Sequence, residues 1–151
     1  MTGAKVLIIG LGNEFRGDDA LGIKVVRQLE NKYAHLADYM IEQSDLTRIL
    51  EQWKDRKVII VDAVFTPDPQ AGKIYETRSF HDLPFGNKKN YSSHGVDLPD
   101  IYALGKSIGS LPRSIHFIGV EGVSWEIGSP MRAEVLSAID EVVKIILQHM
   151  T

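Results

Sequence analysis

Three residues far apart in the chain have the types and settings that could do chemistry: Asp19, Asp62 and His94. Asp19 closes the stretch Gly10-Leu11-Gly12-Asn13-Glu14-Phe15-Arg16-Gly17-Asp18-Asp19. A dinucleotide loop of the G-x-G-x-x-G type needs a third glycine where this chain has Phe15. A phosphate-cradling loop places Lys directly after its second glycine. Here Gly12 and Gly17 have that loop's spacing, but Asp18 and Asp19 follow. With Glu14 beside them they would repel an anion more strongly than a helix dipole could attract it. Nucleotide binding is therefore the last reading. An acidic loop suits a cation, or else Asp18 caps the following helix and Asp19 favours its first turn.

Asp62 is the first polar residue after the apolar run Val58-Ile59-Ile60-Val61, and the strand is expected to end there. In a doubly wound sheet with the first and third strands adjacent, Asp19 and Asp62 converge at the carboxyl edge, where such sheets bind ligands. Two close carboxylates cannot both stay ionised cheaply. Either they share a proton as an acid–base pair, or a cation lies between them; a turn cap within Asp62-Ala63-Val64 is the plainer use of Asp62. His94 lies in Tyr91-Ser92-Ser93-His94-Gly95 before a helix, where the glycine permits backbone bends. Of the other histidines, His35 and His149 are expected to be solvated at polar helix ends, and His116 to be packed or on the surface. His81, in a long loop, is left undecided. Two carboxylates and one imidazole suit zinc, nickel or another divalent first-row ion, with positions left for water or substrate. Ser92, Ser93 and Ser124 are the available hydroxyl nucleophiles, and none sits in a G-x-S-x-G elbow.

The elements that must position these groups follow from periodicity. Lys5-Val6-Leu7-Ile8-Ile9 reads as a buried parallel strand. A helix from about Asp19 to Lys32 follows, with Gly22 inside it at a cost of roughly 1 kcal/mol relative to Ala, which points to close backbone packing. Ala37 to Gln43 reads as a second strand. Leu46, Ile49, Leu50 and Trp53 mark a second helix, and Lys57 opens the third strand. Turn chemistry over Thr66 to Gly72 precedes a half-polar strand, Lys73 to Ser79, expected at or near an edge. Phe80 to Ser93 is a long loop of the kind that carries function. A third helix has Leu98, Ile101, Tyr102, Gly105 and Ile108 inward, Asp97 as cap and Pro99 in its first turn. Ser114 to Val120 is a further strand. Ser129-Pro130 is expected to start a last helix, whose Val135, Leu136, Ile139, Val142, Val143, Ile146 and Leu147 form a core stripe. The β-α-β-α-β alternation predicts an α/β fold: a single three-layer α/β/α domain over residues 1–151, with a mostly parallel, twisted, about five-stranded sheet.

The chain has 151 residues, a net charge of −3 and no cysteine. The length supports one sizeable core. The charge gives no reason to expect nucleic acid or an anionic membrane. Lack of cysteine excludes disulfides, thiolate metal sites and a cysteine nucleophile, and is compatible with a reducing cytosol. With no leader or spanning segment visible before the first strand, the expected setting is cytoplasmic.

Taken together, the motifs resemble those of the hydrogenase maturation endopeptidases. The matching pieces are Ile9-Gly10-Leu11-Gly12-Asn13, Gly17-Asp18-Asp19 with Gly22, Val61-Asp62-Ala63, Ser92-Ser93-His94-Gly95 and Ile118-Gly119-Val120-Glu121-Gly122. Their order agrees with the family over essentially the whole chain. The resemblance implies a peptidase that clips a C-terminal extension from the nickel–iron hydrogenase large-subunit precursor once nickel is in place. It implies that Asp19, Asp62 and His94 contact the metal and act in catalysis, that nickel arrives with the substrate, and that zinc or cadmium can substitute. Glu14 and Arg16 are second-tier candidates for the substrate chain, and Phe80, Phe85, Tyr91 and Trp125 for a groove. Two departures stand out. Glu42-Gln43-Ser44-Asp45 replaces the Asp-Gly-Gly turn that many members carry after strand 2, and Ala20 replaces a common glycine. The competing readings are a non-catalytic nickel-dependent chaperone or binding module, and a general peptide or amide hydrolase using the carboxylate pair.

Overall fold

The computed structural model describes residues 5–79 and 97–150. Its first apolar run forms β1, Leu7–Leu11, buried along its whole length. Strands β2 (Asp38–Glu42), β3 (Lys57–Val64), β4 (Ile74–Thr77) and β5 (Ser114–Glu121) complete a five-stranded sheet in the order β2-β1-β3-β5-β4. All neighbours pair in parallel except β4, which runs antiparallel to β5. The mostly parallel sheet expected from the alternation is therefore what forms, with β1 and β3 side by side. Half-polar β4 takes an edge, where one face and one set of backbone groups can meet water.

Helices α1 (Leu21–Lys32) and α3 (Ala133–Gln148) cover one face of this sheet. Helix α2 (Leu98–Ile108) and a 3-10 helix, Leu46–Glu51, cover the other. The alternation within β3 serves both sides. Ile59, Val61 and Ala63 pack against α1 and α3, whereas Val58, Ile60 and Val64 pack with Ile49, Trp53 and Ile101. Each such large side chain, fully withdrawn from water, contributes about 1.5–3 kcal/mol, which is why an uninterrupted apolar run marks a central strand.

Gly22 has the packing role its placement suggested. A Cβ there would lie 2.4 Å from the Val61 carbonyl oxygen and 2.6 Å from that of Leu11. A Cβ on Gly10 would in turn lie 2.4 Å from the Gly22 carbonyl oxygen. The first turn of α1 thus rests directly on the carboxyl ends of β1 and β3.

Several boundaries differ from the periodicity. The third strand continues past Asp62 to Val64, because β5 pairs with it as far as Glu121. Residues 17–20 form a 3-10 turn, Gly17–Ala20, and α1 proper starts at Leu21. The second helix is only the 3-10 helix, started by Asp45, whose carboxylate accepts from the Thr47 N–H. Ser129-Pro130 does not open the last helix, which starts at Ala133. Ile108 and Leu136, assigned inward, are exposed because each lies off the face its helix turns to the sheet.

Candidate active site

The carboxyl edge of the sheet is built on the loop between β1 and α1. Gly12 has φ +137°, and a Cβ there would lie 2.0 Å from the Asp19 carbonyl oxygen and 3.6 Å from Asp19 Oδ1. No residue with a side chain fits that position, so glycine brings the Asp19 turn back onto the strand end. The Asn13 N–H donates to the Asp19 carbonyl at 3.1 Å and the Asp19 N–H to the Arg16 carbonyl at 3.0 Å, closing the loop on itself. Asp19 is half-buried there.

Asp62 lies on the neighbouring strand, one residue beyond the Gly10–Val61 pair and so level with Leu11, where β1 ends. It is 4% exposed. The alternation along β3 turns its side chain to the face covered by α2. The 3-10 turn carrying Asp19 contacts β3. Both predicted carboxylates therefore stand on adjoining elements at one edge. His94 lies outside the described residues, as do Ser92, Ser93, His81, Phe80, Phe85 and Tyr91.

Asp18 performs a different task from the helix cap expected of it. It is fully buried. Its Oδ2 accepts from the backbone N–H groups of Val123 and Ser124 at 2.8 and 2.9 Å, and its Oδ1 from that of Arg132 at 2.7 Å. Arg132 is the N-cap residue of α3 and has no side-chain cap of its own. Asp18 thus ties the residue that precedes the last helix to the first loop. The fit is close on both sides: a Cβ on Gly122 would meet Asp18 Cβ at 2.8 Å, and one on Gly17 would meet Ser129 Oγ at 2.4 Å.

The second-tier residues are held by protein partners. Glu14 accepts from Arg27 Nη1 at 3.0 Å and from Gln43 Nε2 at 3.3 Å, while its N–H donates to Gln43 Oε1 at 2.9 Å. The Arg27 and Gln43 hydrogen bonds hold the Glu14 carboxyl below its ordinary range. Arg16 lies over the Trp125 ring at 5.8 Å and donates to the Trp125 carbonyl at 3.3 Å. Ser124 Oγ donates to the Pro130 carbonyl at 3.0 Å, which ties up that hydroxyl.

Two carboxylates that do end their strands were not singled out from the sequence, although the signal that marked Asp62, a charge after an apolar run, applies to both. Glu42 ends β2, is 4% exposed, and accepts from the Ser44 and Asp45 N–H groups. The turn that departs from the family pattern is therefore closed by its own glutamate. Glu121 ends β5 and accepts from the Gln70 N–H, Thr66 Oγ1 and Tyr75 Oη.

A protein-family model described as hydrogenase maturation protease matches residues 23–149. This chain belongs to the hydrogenase maturation protease family. Family membership makes it an endopeptidase, a hydrolase of peptide bonds, acting in hydrogenase maturation. The hydrogenase 2 maturation protease of Escherichia coli (strain K12) is 27% identical over 120 residues, covering 77% of this chain and 72% of that protein. The hydrogenase expression/formation protein HoxM of Azotobacter vinelandii is 27% identical over 158 residues, covering 99% and 74%. In fold, the chain matches the hydrogenase maturating endopeptidase HybD from E. coli with TM-score 0.83, at 24% identity over 97% of this chain and 91% of that one. It also matches the NiFe hydrogenase maturation protease HybD from Thermococcus kodakarensis with TM-score 0.72, at 23% identity over 97% and 99%. Among the described residues no helix is long and apolar enough to cross a membrane.

Proposed function

We propose that this maturation protease removes a C-terminal extension from the large-subunit precursor of a nickel–iron hydrogenase, and reads the nickel already seated in that substrate through Asp19, Asp62 and His94. The observation that carries the reading is the placement of Asp19 and Asp62 on adjoining elements at one carboxyl edge. Helix α2 supports the third position. Its carboxyl end is tied below the sheet, where Trp53 Nε1 donates to the Ser110 carbonyl at 2.7 Å and the Asp55 N–H to that of Leu111 at 2.9 Å. Eleven residues of α-helix span about 16 Å, and Leu98, the first of them, is buried in the same cluster as Leu11 and Val64. In this reading the amino end of α2 faces the edge that carries Asp62. His94 is three residues before the cap, Asp97, within about 11 Å of chain.

Two carboxylates and a neutral imidazole form a mixed oxygen and nitrogen set suited to a divalent first-row ion. In this reading the ion is part of the substrate, and its coordination docks the scissile segment beside the acidic edge. An unloaded precursor offers no such bridge and is left uncut. Water is activated at the same edge, by a carboxylate as general base or by the ion that the substrate brings. The expected setting is the cytoplasm.

The deciding experiment mixes purified protein with nickel-loaded and nickel-free precursor and follows precursor mass. Cleavage of the loaded form alone is expected, and equal cleavage of both would overturn nickel recognition. A precursor that is bound but stays at full length would favour a chaperone. Cleavage of unrelated peptides would favour a general hydrolase.

A further inference from the structure

Glu76, His116 and His149 meet on the opposite face of the sheet from Asp62. Glu76 comes from β4, His116 from β5 and His149 from the residue that caps the carboxyl end of α3. One ligand atom from each lies within 4.8 Å of the other two. Glu76 Oε1 is 2.9 Å from His116 Nε2 and 3.5 Å from His149 Nε2. The two rings are packed at 4.1 Å between centroids. Tetrahedral zinc with bonds of about 2.0–2.1 Å sets its ligand atoms roughly 3.3 Å apart, and the two measured separations bracket that edge.

From this convergence we infer a second site, one for a resident divalent ion of the zinc class, with Glu76 Oε1, His116 Nε2 and His149 Nε2 as its ligands. Two imidazoles and a carboxylate are a zinc ligand set, and magnesium or calcium would want oxygen in place of the rings. The His116 side chain is 7% exposed and that of His149 26%, whereas Glu76 at 42% opens the cluster to water on one side. An ion can therefore arrive and keep a water ligand. Burial favours the neutral, metal-binding form of His116. Nε2 is the ring's one polar contact among the described residues, since Nδ1 is buried with no hydrogen-bond partner there.

The surrounding charge is mixed. Arg78 acts on His116 as a nearby positive charge, and Lys57 Nζ donates to the His149 carbonyl at 2.9 Å. The Glu76 carboxylate and the negative end of the 16-residue α3 oppose them. The role that fits this position is structural. The ion would bolt the last turn of the last helix to the edge hairpin, and it takes no part in nickel recognition.

The test uses the full chain freed of metal by chelation and titrated with cobalt(II) alone, a coloured stand-in for zinc. Asp62→Asn serves as the background, so that the carboxyl edge does not contribute. The expected result is one cobalt per chain with the intense visible bands of a tetrahedral site, displaced by zinc. Adding His149→Gln or Glu76→Gln should weaken binding by at least about tenfold, with the metal-free circular dichroism and melting temperature of those half-exposed variants little changed. Absence of the bands in the Asp62→Asn chain would overturn the site. So would full retention of binding in both the His149→Gln and Glu76→Gln chains.

Discussion

The carboxyl-edge site and the Glu76–His116–His149 cluster are built in opposite ways. The first is carried by a loop and the carboxyl half of a strand, and both carboxylates have a local signature: glycines around an acidic pair, and an aspartate within an apolar run. The second is carried by the interior of a strand, an edge strand and a helix terminus, and none of its parts has a signature. Asp62 is in register with Gly119 of β5, three residues along from His116 and of the other parity. The two regions are therefore about 10 Å apart along that strand and on opposite faces. A strand pair can thus support two polar centres without either sensing the other directly, because the sheet itself lies between them.

The largest expected effect separates the regions by function. Asp62→Asn should lower cleavage of nickel-loaded precursor by about 10²–10⁴-fold, read as the rate of mass loss of the substrate. His149→Gln should leave that rate unchanged. A cleavage defect in His149→Gln would mean that the two regions are coupled after all.

The next effect concerns how the carboxyl edge is held. Asp18→Ala strands three backbone N–H groups that one buried carboxylate now accepts from, and should destabilise the fold by about 3–5 kcal/mol, measured by denaturant unfolding. A loss under about 1 kcal/mol would show that water replaces the carboxylate there.

A smaller effect is expected at the rim. Arg16→Ala removes a side chain stacked on Trp125 and should weaken precursor binding about threefold to tenfold, with cleavage of bound precursor intact. Unchanged affinity in a binding titration would assign Arg16 to loop anchoring alone.

The smallest effect is a pH dependence belonging to the second region. Burial, with the charges of His149 and Arg78, holds the His116 imidazole below its ordinary value of 6.5, against the pull of Glu76. The unfolded chain therefore binds this proton more readily than the folded one. The resulting stability is present above about pH 6.5 and is lost as pH falls through the lowered folded value. Melting temperatures measured from neutral to mildly acid pH, with metal removed, should fall more steeply in the parent chain than in His116→Phe. Parallel curves would remove His116 as the source.

Much of the fold was legible because it rests on apolar periodicity. Two central strands with continuous apolar runs and a half-polar edge strand announce a mostly parallel sheet, whereas the antiparallel direction of β4 had no signal in the sequence. Asp62 drew notice through the same periodicity, as a charge within an apolar run, and Asp19 through the acidic pair in a glycine-bearing loop. What escaped depends on contacts between distant segments. Asp18 read as a cap for the helix beside it and instead holds the loop before α3, because a carboxylate takes whichever N–H groups the tertiary fold presents. Ser129-Pro130 misled because the Ser129 hydroxyl donates to the Glu126 carbonyl, back into its own turn, and α3 starts only at Ala133. His116 read as packed or on the surface, and His149 as solvated. They lie 33 positions apart, and only the return of α3 across the sheet makes them neighbours.

The Asp18 bonds also join segments made far apart in time during synthesis. Their donors lie 105, 106 and 114 residues downstream of the carboxylate. While a ribosome is still translating the middle of the chain, the acidic loop has no scaffold on its far side. Its final shape waits for residues 123–132 to emerge, which links the maturity of the acidic loop to a segment made more than 100 residues after it.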